Sequence, residues 1–191
     1  MVNTISKGEL AELPLEDFEG RIIVVQTLPE AEKAVQYLYN FDIIGFDSET
    51  RPAFHKGQRN KIALIQLAVD DTCFLFRTNL IGIPNCLLDI LAGEKIKKIG
   101  VSIHDDFSAI RNRADFKPEN FIELQKFVKE YGIEDNGLQR IYGILFGKRI
   151  SKRQRLSNWE ADVLSDAQKK YAALDAWACL RIYNELVKID K

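Results

Sequence analysis

The sequence predicts an α/β fold, a mixed β-sheet flanked by α-helices. Three observations carry that expectation: apolar β-rich runs come first as a three-strand meander, strand and helix patterns then alternate, and the chain closes on one long helical segment. Residues 1–20, acidic through Glu9, Glu12, Glu16, Asp17 and Glu19, read as an irregular N-terminal arm, packed on the surface or partly mobile. Residues 21–191 then form a single domain.

Residues 21–26, with Ile22 to Val25, predict the first strand. Thr27 and Glu30 form a Thr-x-x-Glu capping box with Pro29 near the first turn, and Ala31, Ala34, Val35 and Leu38 recur at helical spacing to about residue 39. Three strands follow: one through Ile43, Ile44 and Phe46, then residues 62–69 and 72–76, the last two joined by a tight turn at Asp70 and Asp71. A helix over 85–91, stopped by Gly93, leads to a strand over 95–101. Helices are expected over 105–113, 123–131 and 137–145. Ser165 and Gln168 cap the last helix, which runs to about residue 188.

A chain of 191 residues, 46% hydrophobic and 29% charged, has the composition of an ordinary soluble domain. No apolar run reaches bilayer length and the N-terminus lacks a secretory layout, so a cytoplasmic home without membrane contact is expected. Cys73, Cys86 and Cys179 have apolar neighbours and no Cys-x-x-Cys spacing, which suits buried reduced thiols. With only His55 and His104 beside them, a structural zinc site is disfavoured. A net charge of −1 argues against coating nucleic acid through overall charge, though not against a local basic surface.

Carboxylates stand out at three points. The strand through Phe46 runs into Asp47 and Glu49, which share one side of an extended chain. Two anions at the end of a buried strand call for a proton or a cation, and hard oxygen ligands suit magnesium or manganese. If the strand has already ended, both are solvated loop residues. In the last helix, Tyr171, Leu174, Asp175, Ala178 and Ile182 share one face, so Asp175 sits in an apolar stripe and needs a partner, which could equally be an Arg or Lys. In Gly100-Val101-Ser102-Ile103-His104-Asp105-Asp106 a strand passes into a helix start, where one of the two aspartates reads as ordinary capping.

Together these segments resemble a known family. Asp47-Ser48-Glu49, the run from Lys98 to Asp106, and Tyr171-Ala172-Ala173-Leu174-Asp175 are similar to the three exonuclease motifs of the DEDD superfamily. The tyrosine four residues before the last aspartate resembles the tyrosine branch, with RNase D and the exonuclease domain of the Werner-syndrome helicase. Similarity continues through Lys61 to Leu67, Asn120 to Leu124 and Leu156 to Glu160.

The resemblance implies an RNase H-like fold (DnaQ-like exonuclease) and 3′-to-5′ release of nucleoside 5′-monophosphates from DNA or RNA 3′ ends with two divalent metal ions, Mg2+ or Mn2+. By resemblance, Asp47, Glu49 and Asp175 hold the metal carrying the attacking water. Asp47 bridges to a second metal, at which Asp106 acts largely through water. Tyr171 orients or helps deprotonate that water, and Glu49 also touches the terminal 3′ hydroxyl. Asp106 is preferred over Asp105 because the family's aspartate lies six residues after the glycine, here Gly100. The doubled aspartate departs from the Werner-type pattern.

The run Lys148, Arg149, Lys152, Arg153 and Arg155, followed by Trp159, suits a groove that tracks a nucleic-acid backbone, with Arg149, Arg153 and Arg155 as candidate substrate contacts. The alternative is a solvated loop whose Trp159 belongs to the core. The loop at 51–59 follows the first motif and could reach the departing strand; His55 and His104 remain unassigned. Two other readings stay open: an RNase D-like RNA 3′-end trimmer, against which stands the absence of a further C-terminal helical segment, and a catalytically silent nucleic-acid-binding module. The latter predicts a missing carboxylate or tyrosine, and none is missing. Sugar preference, end structure and oligomeric state are not encoded in these motifs.

Overall fold

A computed structural model describes residues 3–53 and 60–189. Six strands make one sheet: β1 (Arg21–Val25), β2 (Ile43–Thr50), β3 (Ile62–Ala68), β4 (Thr72–Phe76), β5 (Lys97–Gly100) and β6 (Phe121–Glu123). Their spatial order is β1-β4-β3-β2-β5-β6. The β2-β3 and β3-β4 pairs are antiparallel and the other three are parallel, so the sheet is mixed as the meander predicts. Every residue of β3 and β4 is buried, because both faces of these strands are covered by helices.

Around the sheet lie α1 (Lys7–Glu12), α2 (Leu28–Leu38), α3 (Thr78–Ile81), α4 (Asn85–Ala92), α5 (Ile103–Arg111), α6 (Leu124–Phe127), α7 (Leu138–Phe146) and α8 (Asp166–Ile189), with a 3-10 turn at Val128–Tyr131. One core packs α2, α4 and α5 on one face through residues such as Leu38, Ile44, Phe46, Leu67, Leu91 and Phe107. The other packs α7 and α8 on the opposite face, with Leu64, Leu75, Ile141, Ala172, Ala176 and Ile182 among its members. Both predicted capping boxes form: Thr27 with Glu30 at α2, and Ser165 with Gln168 at α8.

The arm differs from the irregular segment the sequence suggests. Ser6 and Glu9 form a capping box that starts α1, the signal being masked by the acidic character of the segment. Further on, the Glu16 carboxylate, 7% exposed, accepts hydrogen bonds from the Tyr142 hydroxyl (2.6 Å), Lys148 Nζ (2.8 Å) and Arg181 NH1 (2.8 Å). The helix expected over 123–131 forms from Leu124, as a single α-helical turn continued by a 3-10 turn to Tyr131. Glu123 ends a short strand not foreseen in the sequence, paired in parallel with β5 from Lys98↔Phe121 to Gly100↔Glu123. Gly93 ends α4 in extended conformation rather than as a left-handed cap.

Candidate active site

The strand carrying the first two carboxylates does not end at Phe46. It continues to Thr50, paired to β3 with Asp47 opposite Gln66 and Glu49 opposite Leu64. Asp47 and Glu49 therefore share one sheet face, the one that α8 covers. A bulge between Glu49 and Thr50 breaks the register just beyond them.

Gly45, two residues before Asp47 on that face, lets α8 come close: a Cβ there would lie 2.0 Å from the Ala176 carbonyl oxygen. This contact brings Asp175, 8% exposed, over the strand. Ligand oxygens of Asp47, Glu49 and Asp175 lie within 4.8 Å of one another. Tyr171, one helical turn before Asp175, hydrogen-bonds to it and lies with its ring 5.9 Å from that of Trp159. Trp159 is fully buried, so it backs Tyr171 from the core and offers no stacking surface to a substrate.

Asp106 arrives separately. Beyond Gly100 the chain leaves β5 through Ser102, held in left-handed conformation at φ 57°. The two oxygens of Glu123 accept the backbone N–H groups of Ser102 and Ile103, each at 3.0 Å, and fix the start of α5. Asp106 then accepts a hydrogen bond from the Ser48 hydroxyl, whereas Asp105 is exposed. Ser48 alternates with Asp47 and Glu49 along β2, so Asp106 approaches from the other side of the strand.

The electrostatics reflect this crowding. Burial, reinforced by Glu49, Asp175 and Asp106, pushes the Asp47 carboxyl far above its ordinary range. Glu49 is pushed up to about 9 by burial and by Asp175 and Asp106, with Arg155 opposing. Burial raises Asp106 to about 7 despite the Ser48 hydrogen bond, and raises Asp175 to about 7 despite the hydrogen bond from Tyr171 and the charge of Lys152. Burial and the nearby Asp175 and Glu49 carboxylates drive the Tyr171 phenol upward, so it is a hydrogen-bond donor here. Three carboxyls this close, Asp47, Glu49 and Asp175, fit a site for divalent cations, with Asp106, whose charge acts on Asp47 and Glu49, at its flank.

Asp47, Glu49, Tyr171 and Asp175 border a cavity of about 290 Å³. Its far wall carries Ser102, Gln125, Asn136 and Gln139, and its rim carries Lys152 and Arg155. Gln125 is braced by hydrogen bonds to Ser102 Oγ (3.0 Å) and to the Asn136 carbonyl (2.8 Å). This polar wall was not singled out in the sequence, where scattered Gln and Asn residues carry no periodic signal.

The three candidate arginines separate. Arg155 borders the cavity, while exposed Arg153 lines a groove with Lys7 and Leu10. Arg149 is turned to the arm, its Nε donating to the Leu13 carbonyl at 2.9 Å and its backbone pairing around Leu15. Exposed His104 packs edge-on to Phe107 outside the cavity. His55 and most of the 51–59 loop lie outside the described residues.

Comparison with known proteins agrees with this geometry. The family model described as 3′-5′ exonuclease matches residues 22–189. The chain is 34% identical over 184 residues to the mouse bifunctional 3′-5′ exonuclease/ATP-dependent helicase WRN, covering 91% of this chain and 13% of that protein. It is 29% identical to an Arabidopsis thaliana 3′-5′ exonuclease, covering 95% of this chain and 69% of that protein. Among solved structures, Escherichia coli RNase D superposes with a TM-score of 0.79 at 22% identity, over 89% of this chain and 45% of that one. Trypanosoma brucei RNase D in complex with RNA U12 superposes with a TM-score of 0.77 at 22% identity, over 89% and 63%. The sheet is thus of the RNase H-like type found in RNase D, and the chain belongs to the 3′-5′ exonuclease family.

Proposed function

We propose that the protein hydrolyses nucleic-acid phosphodiester bonds from the 3′ end and releases nucleoside 5′-monophosphates, using two divalent cations, Mg2+ or Mn2+. The observation that carries this reading is the convergence of Asp47, Glu49 and Asp175 within 4.8 Å beside a cavity rimmed by Lys152 and Arg155. Asp47, Glu49 and Asp175 would hold one cation, and Asp47 with Asp106 the second. Bound there, divalent cations lower the pKa of a water and offset the charge on a departing oxygen.

The chain's own groups supply the rest. Tyr171, kept protonated and anchored on Asp175, offers a fixed hydroxyl dipole to orient the attacking water. Lys152 and Arg155 attract the phosphate backbone, and the Gln125-braced wall confines the terminal nucleotide. Three free cysteines, two of them buried, fit the cytoplasmic setting we infer. Among the described residues no helix is long and apolar enough to cross a membrane.

The test follows 5′-labelled single-stranded DNA, single-stranded RNA and a recessed-3′ duplex with Mg2+, Mn2+ or chelator. A metal-dependent ladder of shortened products supports the proposal, and the fastest substrate identifies sugar and end structure. Binding without shortening in every lane rejects it in favour of a silent binding module.

Charge at the rim has its own signature. The Lys152→Ala/Arg155→Ala double variant should raise KM and reduce the slope of log K against log salt by about 1.4 on single strands. Fluorescence anisotropy across a salt series measures this, and an unchanged slope removes both residues from the substrate path. Arg149→Ala, which frees the arm rather than the rim, should leave the slope unchanged.

A further inference from the structure

Gln66 is fully buried in the middle of β3, and among the described residues neither its amide nitrogen nor its amide oxygen has a hydrogen-bond partner. Leaving both ends of an amide unsatisfied in a core is costly, and natural cores hold few such groups. The neighbours in the sheet narrow what the amide is for. On its own strand the flanking residues of the same face, Leu64 and Ala68, are apolar. Across β4 it faces Leu75, and across β2 it faces Asp47. Directly opposed residues of paired strands place their side chains on one face with Cβ atoms about 5 Å apart. Asp47 is thus the only polar side chain among these in-sheet neighbours.

We infer that Gln66 is a positioning residue for Asp47, its amide N–H donating to the Asp47 carboxylate when that carboxylate is committed to a cation. The inference rests on the proposal that Asp47 binds divalent metal. Asp47 can take such a donor. The Ser48 backbone N–H hydrogen-bonds to its carboxyl, but a carboxylate accepts several hydrogen bonds. The hydroxyls of Tyr171 and Ser48 are engaged with Asp175 and Asp106, while the other carboxylates repel its charge. Ligating carboxylates are commonly oriented by a neighbouring hydrogen-bond donor, and loss of that donor weakens metal affinity about 10- to 100-fold. In the metal-free protein neither end of the amide has a hydrogen-bond partner among the described residues, so it contributes only its desolvation cost.

One substitution should act in opposite directions on the metal-free fold and on metal binding. Gln66→Met keeps the length and volume of the side chain and removes both polar atoms. It should raise the melting temperature of the chelator-treated protein by about 3–6 °C. It should also weaken Mn2+ binding, measured by titration calorimetry on the full chain, about tenfold or more. Gln66→Leu should repeat the pattern, and serves if the methionine variant fails to fold.

A residue with a purely structural role would leave Mn2+ affinity unchanged, and that result overturns the inference. A fall in the metal-free melting temperature of a folded variant also overturns it, because the amide would then be satisfied within the apoprotein. Failure of the parent protein to bind Mn2+ rejects the metal reading itself, a result distinct from unchanged affinity in the variants.

Discussion

Asp175→Asn should lower turnover by more than about a hundred-fold while raising the melting temperature of the metal-free protein. The substitution keeps the shape of the side chain and an oxygen that can accept from Tyr171, so α8 keeps its seat on β2. What it removes is charge. Donors that merely orient metal ligands contribute about 10- to 100-fold, so losing a carboxylate proposed to hold the cation should exceed that range. Without metal the same charge opposes the fold, because the carboxylate is 8% exposed and its field falls on Asp47 and Glu49. Relief of one like-charge contact is worth about 1–2 kcal/mol, or roughly 3–6 °C in a chain of this size. Thermal melts in chelator and single-turnover assays in Mn2+ measure the two quantities. A variant that unfolds, or one that keeps parental turnover, contradicts the assignment of Asp175.

Stability of the metal-free protein should fall as pH rises from about 5 to 9, and divalent cation should cancel or reverse that trend. Asp175 and Asp106 are raised to about 7 and Glu49 to about 9. Unfolded carboxyls lose their protons near pH 4. Between pH 4 and these folded values the native state holds more protons than the unfolded chain, so raising the pH favours unfolding. The loss from these three groups is spread across the window from 4 to about 9. We expect a decrease of at least about 10 °C in melting temperature from this cluster. Cations bind the deprotonated carboxylates, so their stabilisation grows over the same window. Asp175→Asn should flatten the chelator curve. A parent protein whose metal-free stability rises steadily from pH 5 to 9 contradicts the arrangement.

Much of this was legible in the sequence because the decisive signals are local. The capping boxes at Thr27 and Ser165 and the Asp70-Asp71 hairpin turn each depend on residues within four positions of one another. Asp47, Glu49, Tyr171 and Asp175 were legible as a group only through the motifs they share with other exonucleases. Their spacing along the chain does not reveal that Gly45 admits α8 to the same face. The features missed in the sequence arise from interactions distant along the chain. Phe121–Glu123 becomes a strand because β5 presents an open edge, and the arm is tied down by Lys148 and Arg181, far along the chain from Glu16. Arg149 reads as one more cation in a basic run until its Nε is seen donating to Leu13.

The close approach of α8 to Gly45 has a kinetic side. The carboxylate cluster joins a strand from the first third of the chain to the final helix, and it exists only after that helix docks. Because loop closure must precede so distant a contact, we expect it to form late in folding. A cation held across the seam would then leave the refolding rate nearly untouched and slow the detachment of α8. An ion bound there for hydrolysis, as proposed, would thereby double as a clasp and lengthen the lifetime of the native fold.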